Sequence, residues 1–132
     1  LGAIERGLAG LDAIRLEAPN GTKDDILRVH PQHHINTVLQ SVQDGETVPL
    51  TDDAGLDAYT ATAALRGVGA ACDAVDKVWR GEAEHALIAT RPPGHHTEPE
   101  QAMGFCYLST LAIAAKRARA SSISAPPKVD AS

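Results

Sequence analysis

Aromatic side chains are almost missing from this sequence: only 3% of its 132 residues are Phe, Trp or Tyr. A core built around large rings is therefore excluded, and alanine, leucine, valine and isoleucine must supply it, which favours helices that approach closely. Cysteine is scarce too. Cys72 and Cys106 lack CxxC spacing and sit in apolar surroundings, so they read as buried free thiols of a reducing, cytoplasmic compartment rather than a disulfide framework or zinc cluster. No apolar run approaches the roughly 20 residues of a membrane-spanning helix, and Leu1-Gly2-Ala3-Ile4-Glu5-Arg6 lacks the form of a signal peptide. An excess of basic charge is lacking as well. The formal net charge of −5 argues against a surface that neutralises nucleic-acid phosphates. The one small basic cluster, Lys116-Arg117 with Arg119, reads as the solvated end of a helix, where cations suit the dipole. The sequence also starts without methionine, and we expect a processed, trimmed or excised product.

What is present is one domain's worth of helical pattern. Ile4, Leu8 and Leu11, extending to Ile14 or Arg15, share a helical face, so a helix is expected over residues 2–15. Pro19-Asn20-Gly21 marks a turn, and Thr22, Asp24 and Asp25 are capping candidates for a short helix from Lys23 to Val29. After His30-Pro31, the apolar residues Ile35, Val38, Leu39 and Val42 mark another, closed by Asp44-Gly45. The longest helix is expected over about residues 56–79, where Leu65, Val68, Cys72, Val75 and Val78 recur at three- and four-residue steps. Gly67 and Gly69 weaken a free helix, which points to close packing against a neighbour there. His85 to Thr90 reads as the one convincing strand, and Cys106 to Ala120 as a final helix with Leu108, Leu111, Ala112 and Ala115 facing inward. Residues 1–120 are expected to form the domain and 121–132, rich in Ser, Ala and Pro, a flexible or divergent tail.

Arg91-Pro92-Pro93-Gly94-His95-His96-Thr97 begins where the expected strand ends. A polar loop at the carboxyl end of a buried strand is the usual place for a site in an open α/β sheet. The prolines fix φ and Gly94 allows close backbone approach, so the two histidines that follow are stiffly held. Imidazole titrates near neutrality and can take a proton from water. Catalytic bases, metal ligands and hydrogen-bonded loop residues all fit such a pair. His33-His34 offers a control, being the same dipeptide in a helical stretch with no rigid turn, and there a structural role is expected. Zinc ligation by the loop pair alone is disfavoured, because adjacent residues rarely both reach one ion and a site needs three or four ligands.

The run Ala86 to Ala115, ALIATRPPGHHTEPEQAMGFCYLSTLAIAA, resembles the signature of the histone deacetylase and acetylpolyamine amidohydrolase family. The preceding LDAYTATAALRGVGAACDAVDKVWRGE resembles that family's long helix, and LGAIERGLAGLD with LRVHPQHHINTVL its amino-terminal helices. The resemblance implies a partial α/β, arginase/deacetylase-like three-layer fold, mostly helical with few strands in this piece. It also implies that His95 and His96 are the tandem active-site histidines, His96 as general base and His95 as electrostatic partner and proton carrier. Gly104 and Phe105 match the wall that grips an acyl-lysine-like chain, and Asp53, or else Asp52, a rim aspartate. The implied substrate is an acetylated amine or peptide, and the family's cofactor is zinc.

Several family residues have no counterpart here. The family's Asp-x-His zinc motif on the next strand, its later zinc-binding Asp and its carbonyl-polarising Tyr are absent; SSISAPPKVDAS stands there instead, with Asp130 but no following histidine. Ser109-Thr110 replaces the usual Asn-Asn or Asn-Asp. No zinc is therefore expected to be held by this chain alone, although His30, His33 and His34 would be the first ligands to consider. Without the metal nothing lowers the pKa of water or polarises the acyl carbonyl, so the expectation is a truncated, inactive deacetylase-like protein. The rival expectation is a stand-alone, non-catalytic remnant that binds a partner or forms a homo-oligomer through an exposed sheet edge, completing what is missing. Neither nucleic acid nor membrane is an expected partner.

Overall fold

The longest helix carries the packing. The computed structural model describes residues 1–123 and contains, in order, α1 (Gly2–Leu8), α2 (Lys23–Leu27), α3 (Gln32–Val38), β1 (Val48–Thr51), β2 (Ala54–Leu56), α4 (Thr60–Trp79) and α5 (Thr110–Ile123). In α4 the residues Ala64, Val68, Ala71 and Cys72 recur at three- and four-residue steps and are buried together. That face meets α5, whose Ile113 is fully buried, and α2 packs against α5 in turn. With Ile26, Ile35, Val38, Leu56 and Leu108 they form one aliphatic core, each large side chain contributing about 1.5–3 kcal/mol by leaving water. Gly69 is the point of closest approach: a Cβ there would overlap the Pro19 carbonyl and lie 2.7 Å from the Asn20 carbonyl carbon. The expected close packing thus comes from the 19–21 segment, fastened where the Gly21 N–H donates to the Leu65 carbonyl at 2.8 Å.

Thr22 caps α2 by accepting from the Asp25 N–H at 3.2 Å. The buried Asp25 carboxylate then meets Arg117 of α5, whose Nη1 donates to its Oδ1 at 3.1 Å. The same guanidinium grips Asp76 of α4 with two bonds, Nε to Oδ1 at 2.9 Å and Nη2 to Oδ2 at 2.7 Å. Arg117 is therefore no solvated helix-end cation, as the sequence pattern led us to expect. It ties three helices where their polar edges meet. Hydrogen bonding from Arg117 holds the Asp76 carboxyl below its ordinary range.

Four other expectations change. The first helix stops at Leu8 rather than residue 15, because α1 buries none of its residues and Leu11, Ile14 and Leu16 are exposed; most helical stability comes from packing an apolar face, and this face has nothing to pack on. Residues 85–90 form no strand among the described residues: the segment runs beside no other strand, so its backbone has no ladder, and Leu87 and Ile88 are exposed. The strands that do form are β1 and β2, an antiparallel hairpin turning at Asp52-Asp53 and pairing Thr51 with Ala54 and Val48 with Leu56. Finally, α5 starts at Thr110 rather than Cys106, which shifts its inward face to Ile113 and leaves Leu111 exposed. Residues 121–123 of the expected tail are the last of α5, and the rest of it, Asp130 included, lies outside the described residues.

Candidate active site

The Pro-Pro-Gly turn is pinned against the start of α5. Gly94 is buried, its carbonyl accepts from the Leu111 N–H at 3.3 Å, and a Cβ on it would lie 2.7 Å from the Thr110 nitrogen. Beyond that anchor the backbone N–H groups of His95 and His96 both donate to the Cys106 Sγ, each at 3.3 Å. The fully buried thiol of Cys106 thus gathers two consecutive amides, and the two imidazoles project outward side by side. Their ring centroids are 4.2 Å apart with planes at 51°. Both cysteines are free and buried, as their surroundings implied.

Cys106 closes a tight four-residue turn. The Met103 N–H donates to the Cys106 carbonyl at 3.1 Å and the Cys106 N–H to the Met103 carbonyl at 2.9 Å. Both central residues have positive φ, Gly104 at 57° and Phe105 at 59°, the requirement of a type I′ turn. Glycine adopts this freely. Phenylalanine does not, and holding Phe105 there costs about 1–2 kcal/mol. Phe105 is 64% exposed, so burial does little to offset that cost. The Gly104 backbone also lies against His96: a Cβ on Gly104 would sit 2.7 Å from three atoms of that side chain.

The hairpin supplies the third component. Of the two aspartates at its tip, Asp53 reaches the turn, its Oδ2 accepting from the Gly104 N–H at 3.0 Å while Oδ1 accepts from Thr51 Oγ1 at 3.0 Å. The Tyr107 hydroxyl donates to the Gly55 carbonyl and fastens the same hairpin a second time. All five residues singled out in the sequence, Asp53, His95, His96, Gly104 and Phe105, are thus joined through the 103–106 turn. A cleft of about 340 Å³ opens beside His95, lined also by Ile88, Thr90, Pro92, Thr110 and Leu111. A larger one of about 470 Å³ lies over Ile26, Ile35 and Leu65, and none of the five residues lines it.

The helical control pair separates as well. His34 is buried and bonds the Tyr107 carbonyl at 2.8 Å, while His33 is exposed beside Glu100 at 3.2 Å. Ser109 is buried, and its hydroxyl oxygen accepts from the Ala112 N–H at 3.3 Å, a capping bond for α5. Among the described residues no three His, Cys, Asp or Glu side chains are placed to share a metal ion. They do not fit the family's zinc.

The family model of the histone deacetylase domain matches residues 3–125. The chain belongs to the histone deacetylase family. It is 39% identical over 103 residues to a histone deacetylase-like amidohydrolase of Pseudomonas aeruginosa, covering 78% of this chain and 27% of that protein. A probable deacetylase of Archaeoglobus fulgidus is 31% identical over 103 residues, covering 78% of the chain and 28% of the relative. Among solved structures, the HDA15 HD domain superposes with a TM-score of 0.85 at 30% identity, over 91% of this chain and 36% of that one. The fold is therefore that of the deacetylase domain, here mainly helix with few strands, and the chain spans between a quarter and a third of the length of these two curated relatives. No helix among the described residues is long and apolar enough to cross a membrane.

Proposed function

We propose that this chain carries the base-bearing part of a deacetylase-type amidohydrolase site, acting on an acetylated lysine, polyamine or similar amine. His96 is the general base, taking the proton of the water that attacks the acyl carbon, and His95 is its electrostatic partner. Gly104 and Phe105 line the path of the acylated chain, with Asp53 at the rim. The observation that carries this reading is the shared anchoring of the two histidines on Cys106, in the turn that presents Phe105 with positive φ. Strain retained at an exposed residue points to use, because stability alone would remove it.

Two imidazoles can accept and return a proton, but they leave the acyl carbonyl unpolarised. The chain on its own is therefore expected to bind an acetyl-lysine peptide weakly at Phe105 without hydrolysing it. Titrating a short acetyl-lysine peptide into isotope-labelled protein should shift the resonances of Gly104, Phe105, His95 and His96, and the Phe105→Ala variant should lose the response. Shifts confined to other surfaces would overturn the assignment. In parallel, incubation with zinc and an acetyl-lysine substrate should give no turnover; robust turnover abolished by His96→Ala would uphold the base and refute the inactivity.

A second reading is an assembling, non-catalytic chain. The exposed Leu87 and Ile88, with Leu111 of α5 exposed as well, at 72%, 41% and 67%, favour it, since exposed apolar side chains beside a backbone segment with no ladder of its own invite a second chain. Sedimentation should then show a dimer that Leu87→Lys dissociates, whereas a monomer at all concentrations counts against it.

A further inference from the structure

We infer that His30 and His34 are positioning residues for the candidate site, a stacked pair that fixes the Pro99–Ser109 loop through its backbone, with His30 a neutral imidazole carrying its proton on Nδ1. The assignment follows from what each partner can do. The Ser109 N–H lies 2.9 Å from His30 Nε2, and a backbone N–H only donates, so Nε2 must be bare and accept. The proton of the neutral ring then sits on Nδ1, 2.8 Å from the Pro99 carbonyl, which only accepts. One fully buried ring therefore holds both ends of the loop. His34 has the opposite arrangement: its Nε2 lies 2.8 Å from the Tyr107 carbonyl and must bear a proton.

His30 lies in the bend between α2 and α3 and His34 in the first turn of α3, and the rings stack with centroids 4.7 Å apart and planes at 21°. Between the tethered points Pro99 and Ser109 lies the Met103–Cys106 turn, which presents Phe105 and whose thiol receives the His95 and His96 amides. Neither His30 nor His34 lines that site; both act through the loop. A doubly protonated His30 would turn its second N–H on that of Ser109 and lose the bond, so the tether requires the neutral ring. The positioning role rests on the proposed function, whereas the tautomer stands on the hydrogen bonds alone.

The test is imidazole nitrogen NMR on the whole chain at pH 7.5. His30 should show the pattern of a neutral Nδ1–H ring and His34 a protonated Nε2; an Nε2–H or doubly protonated His30 would overturn the inference. His30→Ala should then speed amide exchange at Ser109 roughly tenfold, the loss of one hydrogen bond. It should also shift the His95, His96 and Cys106 amides while Val68 and Ala71 of α4 keep their protection. Unchanged amides at Cys106 and His96 would refute the positioning role. If α4 also loses protection, His30→Gln, whose amide keeps one donor and one acceptor, replaces it and should restore the Ser109 signal in part; no recovery at Ser109 in a folded His30→Gln protein likewise refutes the role. A failed acetyl-lysine titration beside the expected His30 signature would remove the proposed function and leave the tether intact.

Discussion

Replacing Gly104 with alanine tests whether the 103–106 turn and the histidine pair are one mechanical unit. Gly104 sits at φ 57°, and the added Cβ would meet Cβ, Cγ and Cδ2 of His96 at 2.7 Å. Left-handed backbone costs an alanine about 1–2 kcal/mol. Overlap with the near end of the imidazole, where rotation about its own bonds gives little relief, adds about 1–3 kcal/mol. The expected loss is about 2–5 kcal/mol, and with a urea slope of about 2 kcal/mol/M the unfolding midpoint should fall by on the order of 1–2.5 M. Gly10→Ala is the control, since nothing lies within 4 Å of the Cβ it would gain; it should stay within about 0.5 kcal/mol of the parent. The His96 ring resonances should move in Gly104→Ala and stay in place in the control. A Gly104→Ala protein as stable as the control, with His96 unmoved, would refute the coupling.

Arg117→Ala leaves the Asp25 carboxylate buried without its arginine on α5, and urea unfolding should register a loss of about 2–4 kcal/mol, the range for breaking one side of a largely buried pair whose arginine is partly solvated. Burial, and to a lesser degree stacked His34, holds the His30 pKa below its ordinary value despite the Pro99 carbonyl bond. Its stabilising effect is therefore complete above the unfolded value of about 6.5 and is lost as pH falls from there toward the folded pKa. Urea midpoints measured from pH 7.5 down to 5 should fall more steeply for the parent than for His30→Gln, and parallel profiles would contradict this. Burial, reinforced by Asp25, pushes the Cys72 thiol up to about 11, so iodoacetamide at pH 8 should label it only after unfolding, a result read by mass spectrometry.

Much of the site was legible because the residues that carry it lie close together in the chain. Fixed backbone at Pro92-Pro93-Gly94 and the neighbouring Met103–Cys106 segment are local properties, and local properties survive in a sequence. The long helix was legible for the same reason, its apolar spacing persisting from Leu65 to Cys72. The failures are all matters of partnership. Nothing in Leu11 or Ile14 says that no surface lies beneath their helical face, and nothing in residues 86–90 says that no strand runs beside them. The hairpin had a readable signal in Thr47-Val48-Pro49-Leu50-Thr51 before Asp-Asp, but Pro49 within a run argues for an edge, and the run was too short to stand out. Asp53 is the instructive case: its place at the site depends on that hairpin folding back on residues 104–107, a contact across about fifty positions of sequence. His30 escaped for a similar reason, since its partners at Pro99 and Ser109 are backbone atoms that no side-chain pattern reveals.

The central claim is that these residues carry the base-bearing part of a deacetylase site without a set of zinc ligands among them. Metal analysis of the purified chain after dialysis against zinc tests it most directly. Zinc far below one ion per chain is the expected result, with the His30 and His34 nitrogens still engaged by the loop backbone. One tightly held zinc per chain would contradict the account, for those nitrogens would then have to leave Pro99, Ser109 and Tyr107 or ligands would have to come from elsewhere in the sequence.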